Sequence, residues 1–257
     1  MNLRGAEVRA RFAEIVNGVK GAIDFLRTNM YVETVLNLPF STVLVPLCVF
    51  FARPGNETVP VTEPQRAKLV RWFWRACFSR RFSSGVLRNL KEDIDGMAAL
   101  RDSQPTTIGE FPVLITADHF RVSPFRVNSV NTKTFVLMLA QQHPVSFVSG
   151  QPVSLARVLR DYNRSEFHHL FPRAFLATIG ISASEQGPLA NFCFLSKADN
   201  STLGGAAPSA YRVRMPTRVE PILGRALCPE SLFADDYAEF LEERCELLER
   251  YANQLIT

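Results

Sequence analysis

"SEFHHLFPRAF", residues 165–175, sets His168 beside His169 and follows them with Leu170, Phe171 and Pro172. The chain has only 4 histidines, so half of them stand at this one point. The stretch reads as a short extended segment closed by Pro172, since proline has no N–H with which to continue a ladder. Downstream come Asn191 in "NFCFL", Asn200 at the end of "SKADN", and "STLGGAAPSAYR", a turn leading into a helix. A single histidine is usually a packed or surface residue. A histidine pair followed in order by a proline and two asparagines is an arrangement that can carry chemistry.

Composition bounds what that chemistry can be. With 257 residues, 47% of them apolar and 21% charged, the chain can bury real cores, and no segment is of low complexity. The net charge of +4 fits an anionic partner without demanding one. Distribution says more: Arg66, Lys68, Arg71, Arg75, Arg80, Arg81, Arg88 and Lys91 form a run with no acidic residue among them. The 5 cysteines make no close pair, which argues against a disulfide framework or a zinc knuckle and for a reducing cytoplasm. The opening residues lack the compact apolar core of a secretory signal. The most apolar run, "LNLPFSTVLVPLCVFFA" (residues 36–52), is interrupted by Asn37, Pro39 and Pro46 and is short for a bilayer; it reads as a buried helix entered at Pro39, with no membrane partner.

Periodicity predicts a mainly helical chain. Val8, Phe12, Ile15, Val19, Ile23 and Leu26 recur at helical steps over residues 6–27. Thr62, Pro64 and Gln65 form a capping-box start for the helix that carries Trp72, Phe73, Trp74 and Phe78, with the tryptophans expected in the core. A further helix restarts after Gly85. Residues 101–130, rich in Pro, Ser and Thr, read as a hinge between a helical domain (1–130) and a second half (131–257). Helices resume at "NTKTFVLMLAQQ" and at "SLARVLRDYN", the latter capped by Ser154, before residues 165–215 break into short strands and loops. "YAEFLEERCELLERYANQLI" then closes the chain as a long amphipathic helix, with Tyr237, Phe240, Leu241, Leu247 or Leu248, Tyr251 and Leu255 on its apolar stripe.

The His168-His169-Leu170-Phe171-Pro172 run, Asn191 and Asn200 resemble the consensus of the HNH nucleases, whose ββα-metal fold follows the same order of residue types. The resemblance implies a fold class of helical bundle with an inserted ββα-metal nuclease core. It implies that His169 is the general base that activates water, a task suited to a neutral imidazole. By the same resemblance His168 and Asn200 hold one divalent ion, Mg²⁺ or Mn²⁺, and Asn191 holds the strand that carries the base. The family often has Asp where this chain has His168, which softens the site towards Mn²⁺ or Ni²⁺. Arg173 and Lys197 could reach a phosphate, and Arg80 and Arg81 could track a DNA backbone; for each, a solvated surface charge is the competing reading. Tyr211 is expected to anchor the final helix of the core.

"TADHFRVSPF" offers a second candidate, Asp118-His119, but Pro124 comes too late, and Asn128 and Asn131 leave no room for a second strand. His143 reads as a capping or surface residue. No HExxH, no HxE with PCxxC and no GxxxxGK[ST] occurs, which removes zinc proteases, zinc deaminases and phosphate-loop enzymes. The wider order of "LPFSTVLVPLCVFF", "WFWRACFSRRFSSG", "KEDID", "FHHLFPRAFL" and "FLEERCELLERY" resembles the C-terminal half of GmrSD-like type IV restriction proteins, bacterial and archaeal anti-phage proteins that include nicking effectors linked to phosphorothioate-marked DNA. The Asp-Gly-Gln-Gln-Arg signature of that family's N-terminal half is absent. The resemblance implies a bacterial cytoplasmic DNA endonuclease, a nickase, whose nucleotide-hydrolysing, modification-sensing half is a separate subunit or lies outside this chain. The alternatives are a scaffold with an inactive core that binds DNA or a partner, and an RNA nuclease toxin.

Overall fold

Residues 5–53 and 59–257 are described by the computed structural model; residues 1–4, the head of the stretch read for a secretory signal, and residues 54–58 lie outside them. Among the described residues there are thirteen α-helices and one two-stranded sheet, a mainly helical fold. Two compact units divide the chain. The first takes residues up to Val32, Phe40–Leu114 and Leu255–Thr257; the second takes Glu33–Pro39 and Ile115–Gln254. The break between the units thus falls after Leu114, inside the stretch read as a hinge, and not at residue 130. The reason is local: Phe125 stacks on Phe192 at 4.0 Å, its N–H bonds the carbonyl of Gly187, and Pro124 bridges to Pro188. These contacts tie residues 115–130 to the second unit.

The first unit contains α1 (Gly5–Ala10), α2 (Phe12–Met30), α3 (Leu44–Phe51), α4 (Glu63–Phe78) and α5 (Val86–Arg101). The bonds Arg11 N to Glu7 O and Ile15 N to Arg11 O carry the helical path across the α1–α2 junction, close to the single helix that the periodicity predicts. α3 packs closely on α2 because Gly18 and Gly21 have no side chain there; a Cβ at either would come within 2.6 Å of Cys48 O or Phe51 Cγ. The capping box at α4 is complete: Gln65 N donates to Thr62 Oγ1 at 3.4 Å, and Thr62 N donates to Gln65 Oε1 at 3.1 Å. Trp72 and Trp74 are buried, as the aromatic face of α4 predicts. Gly85, at φ 59°, supplies the left-handed turn that starts α5. No described helix is long and apolar enough to cross a membrane.

The second unit contains α6 (Ala117–Val122), α7 (Val130–Ala140), α8 (Leu155–Asp161), β1 (Phe167–His169), α9 (Arg173–Thr178), β2 (Phe192–Phe194), α10 (Lys197–Leu203), α11 (Pro208–Tyr211), α12 (Glu220–Arg225) and, up to Gln254, α13 (Tyr237–Ile256). Ser154 flanks α8, but its side chain makes no capping bond, which corrects that expectation. Residues 165–215 hold more helix than strands and loops alone: α9, α10 and α11 all fall there. β1 and β2 pair antiparallel in the register Phe167–Phe194, His168–Cys193 and His169–Phe192. Strand alternation puts Phe167, His169, Phe192 and Phe194 on one face of this hairpin, against Phe125 and Tyr162. The other face carries His168 and Cys193. Cys193 belongs to a buried cluster with Leu195, Leu203 of α10, Tyr211 and Phe240, so α10 covers that face.

Candidate functional site

The hairpin is short, and side chains hold its ends. Asn191 is fully buried in the turn that enters β2. Its Oδ1 accepts from Phe171 N at 2.8 Å, and its Nδ2 donates to Phe171 O at 3.2 Å and to Gln186 O at 2.9 Å. The Phe171 N–H can only donate, so it fixes which end of the amide is the oxygen. Leu170 N donates to the Asn191 carbonyl at 2.8 Å. Asn191 therefore ties the end of β1, one to two residues past His169, to the start of β2. Gln186 in turn donates to Ile181 O at 2.8 Å and accepts from Arg173 Nε at 3.2 Å. The buried Tyr211 hydroxyl donates to Leu170 O at 2.8 Å. Tyr211 thus holds the chain just beyond the histidines from the α11 side.

The two imidazoles leave opposite faces of the hairpin. His169, half-buried, packs its ring 4.2 Å from that of Phe192. His168 lies on the α10 side, with Nε2 3.0 Å from the carbonyl oxygen of Ser165. A carbonyl only accepts, so Nε2 carries the proton, and a neutral His168 has its lone pair on Nδ1. Across the ladder from His168 sits Cys193, whose thiol burial pushes up to about 12. Asn200 sits half-buried in α10, its N–H bonded to Ser196 O at 2.8 Å. Lys197 opens α10 and is exposed. A cleft of about 230 Å³ beside the start of α10 is lined by Ser149, Arg157, Glu166, Ser196 and Asp199, among others. No three His, Cys, Asp or Glu side chains among the described residues come together in a metal-holding group. The expected pair of ligands, one imidazole and one amide, is not of that kind.

The other expected residues lie elsewhere. Arg80 is exposed in the first unit, at φ 54° after α4. Arg81 is tied inside the unit and not presented at its surface: its side chain is 9% exposed, and Nε donates to both oxygens of Asp93, at 3.0 and 2.8 Å. Its Nη2 bonds Glu92 at 2.9 Å, and its guanidinium lies 4.1 Å over the Phe111 ring. Nε and Nη2 are thus committed to carboxylates, which competes with any role on a phosphate. Asp118 and His119 fall in α6, a helix, so they form no strand-borne pair. His143 lies three residues past α7, in the left-handed region, and its carbonyl accepts from Arg225 Nη1 at 3.0 Å.

Arg244 is the residue that reading the sequence missed. It is fully buried on α13, and its guanidinium donates to Ala190 O at 2.6 Å, Phe192 O at 2.9 Å, Ala226 O at 3.1 Å and Leu227 O at 3.3 Å. The available signal was its place on the apolar stripe, four residues from both Phe240 and Leu248, where a charge is out of pattern. Comparisons of the chain with protein-family models, with curated proteins and with solved structures returned no match.

Proposed function

We propose that the β1–β2–α10 unit is an HNH-type nuclease core and that the protein is a metal-dependent DNA endonuclease, a nickase, acting in anti-phage defence. One observation carries the reading: the buried Asn191 amide, bonded to both backbone groups of Phe171, locks the strand bearing His169 to a second strand that leads into a helix bearing Asn200. That combination of hairpin, cross-loop amide and following helix supports the resemblance seen in the residues alone.

In this reading His169 takes the proton of the attacking water. Packing against Phe192 limits its ring to few orientations, which favours a base held near attack distance. His168 and Asn200 are the residues that would hold a divalent ion. They fit as donor types, an imidazole nitrogen and an amide oxygen, and the register puts His168 on the hairpin face that α10, the helix bearing Asn200, covers. When bound, such an ion supplies charge stabilisation for the phosphate and the leaving oxygen. Arg173 and Lys197, both exposed on this unit, are the nearest candidates for phosphate contacts, and DNA is the proposed partner.

A second reading, a helical scaffold with an inactive core, gains from the opposite-face placement of the two imidazoles, which does not converge them on one point. Incubation with supercoiled plasmid and with a linear RNA, with and without Mg²⁺ or Mn²⁺, separates the readings. The nickase yields open circles before any linear product, and only with metal. Cleavage of RNA alone makes it an RNA nuclease, and binding without cleavage makes it the scaffold.

A further inference from the structure

We propose that Arg244 is a positioning residue for this site, a buried cation that sets the Asn191 turn by holding the carbonyls on both sides of it. The inference rests on the nuclease reading for its catalytic consequence but not for its structural part. Ala190 O and Phe192 O, which flank Asn191, accept from Nη1 and Nη2 at 2.6 and 2.9 Å. The remaining bonds reach Ala226 O and Leu227 O, so one planar group joins the hairpin to the segment after α12. All four of these acceptors are backbone carbonyls, although Arg244 is fully buried. Burying a guanidinium on carbonyl acceptors is costly in desolvation, and once it is there its loss leaves those four carbonyls unpaired. What the guanidinium adds is geometry: a rigid fork of donors fixes several carbonyls at once, which no apolar side chain does.

The consequence runs through a short chain of atoms. Arg244 orients the peptides on either side of Asn191. The Asn191 amide then meets Phe171 N and O, two residues past His169. Loosening the fork tilts the Asn191 turn and lets the end of β1 drift. A base misplaced by about 1 Å loses on the order of 10²-fold in rate. The four bonds of Arg244 go to backbone carbonyls and none to a proposed metal or DNA contact, so its loss should act on turnover and not on binding of metal or DNA.

The test uses Arg244→Met, which keeps the packing and removes the donors, and Arg244→Lys, whose three donors share one nitrogen and cannot span the four carbonyls. Nicking by folded Arg244→Met should fall about 10²-fold in kcat with KM unchanged, Arg244→Lys should be intermediate, and Asn191→Ala with Arg244→Met should be no slower than the slower single variant. Losses that multiply, or a wild-type kcat in folded Arg244→Met, overturn the proposal. Hydrogen exchange at the Phe171 and Leu170 amides, read against Val136 of α7, keeps the test open if the methionine variant does not fold or the wild type does not cut. Arg244→Lys should lower protection at Phe171 and Leu170 selectively. Unchanged protection there overturns the positioning role, whereas a wild type that never cuts, with protection lowered as expected, overturns only the nuclease reading.

Discussion

Arg81 in the first unit and Arg244 in the second are both buried guanidinium groups, and they are satisfied in different ways. Arg81 meets charge with charge: Asp93, itself 3% exposed, takes Nε in a bidentate contact, and Glu92 takes Nη2. Among the described residues, the hydrogen bonds of Arg244 all go to backbone carbonyls. The first arrangement fastens the turn after α4 to α5, and its worth is the packing of that corner. The second fixes the paths of two irregular segments, one of which contains Asn191. A buried ion pair can be exchanged for well-packed apolar residues at little cost, but a cation on carbonyls has no such substitute, because the carbonyls stay behind unpaired. The same residue type thus serves stability in one unit and geometry in the other.

Breaking the ion pair should give the largest stability effect. Asp93→Ala takes the buried partner from the Arg81 cation and leaves it only the exposed Glu92, which should lower unfolding free energy by about 3 kcal/mol in a denaturant titration, whereas Arg81→Met with Asp93→Leu should recover most of it. A double variant as unstable as the single would make the pair more than a fastener.

A smaller effect should come from alkali, and from the second unit's thiols. Burial pushes Cys193 and Cys228 from 9.0 up to about 12. Their folded values lie above the unfolded ones, so the stability they contribute is full below about pH 9 and is lost as pH rises towards about 12. By pH 10 each costs on the order of 1 kcal/mol. Replacing both by Ala should flatten this part of the pH–stability curve, and an unflattened curve would assign the alkaline loss to other groups.

Helix caps give a comparison of similar size within one chemistry. Thr62→Ala removes a bonded cap and should cost about 1 kcal/mol. Ser154→Ala removes a side chain that makes no capping bond and should change stability by less than about 0.5 kcal/mol. Equal losses at both positions would mean that the α8 cap forms in solution after all. The smallest effect concerns Arg80: Arg80→Glu should reduce the slope of log K for DNA against log salt by about 0.9 if that exposed residue contacts one phosphate. An unchanged slope leaves Arg80 a solvated charge.

Much of the fold was legible because long periodic segments declare themselves. Thr62 with Gln65 marked the start of α4, Gly85 the start of α5, and the stripe from Tyr237 onward the whole of α13. What stayed hidden was tertiary. Arg81 sits in a basic run that reads as an electrostatic face, and only the fold brings Asp93, twelve residues on, against it. Leu114 as the break between units depends on Phe125 finding Phe192, a contact across sixty-seven residues. At the candidate site the order of the two histidines and two asparagines was visible in the sequence. The alternation that sends His168 and His169 to opposite faces follows from β1 being a strand. The Arg244 fork does not follow from any pattern: a charge on an apolar stripe flags a problem without naming the carbonyls that answer it.

The most direct test of the account is the rate of plasmid nicking by His169→Ala and His168→Ala over a range of Mn²⁺ concentrations, beside the wild type. The account predicts metal-dependent open circles from the wild type, loss of nicking in His169→Ala at every Mn²⁺ concentration, and partial recovery of His168→Ala as Mn²⁺ rises. A wild type that leaves the plasmid supercoiled with every divalent ion, or a His169→Ala protein that nicks at the wild-type rate, would contradict it.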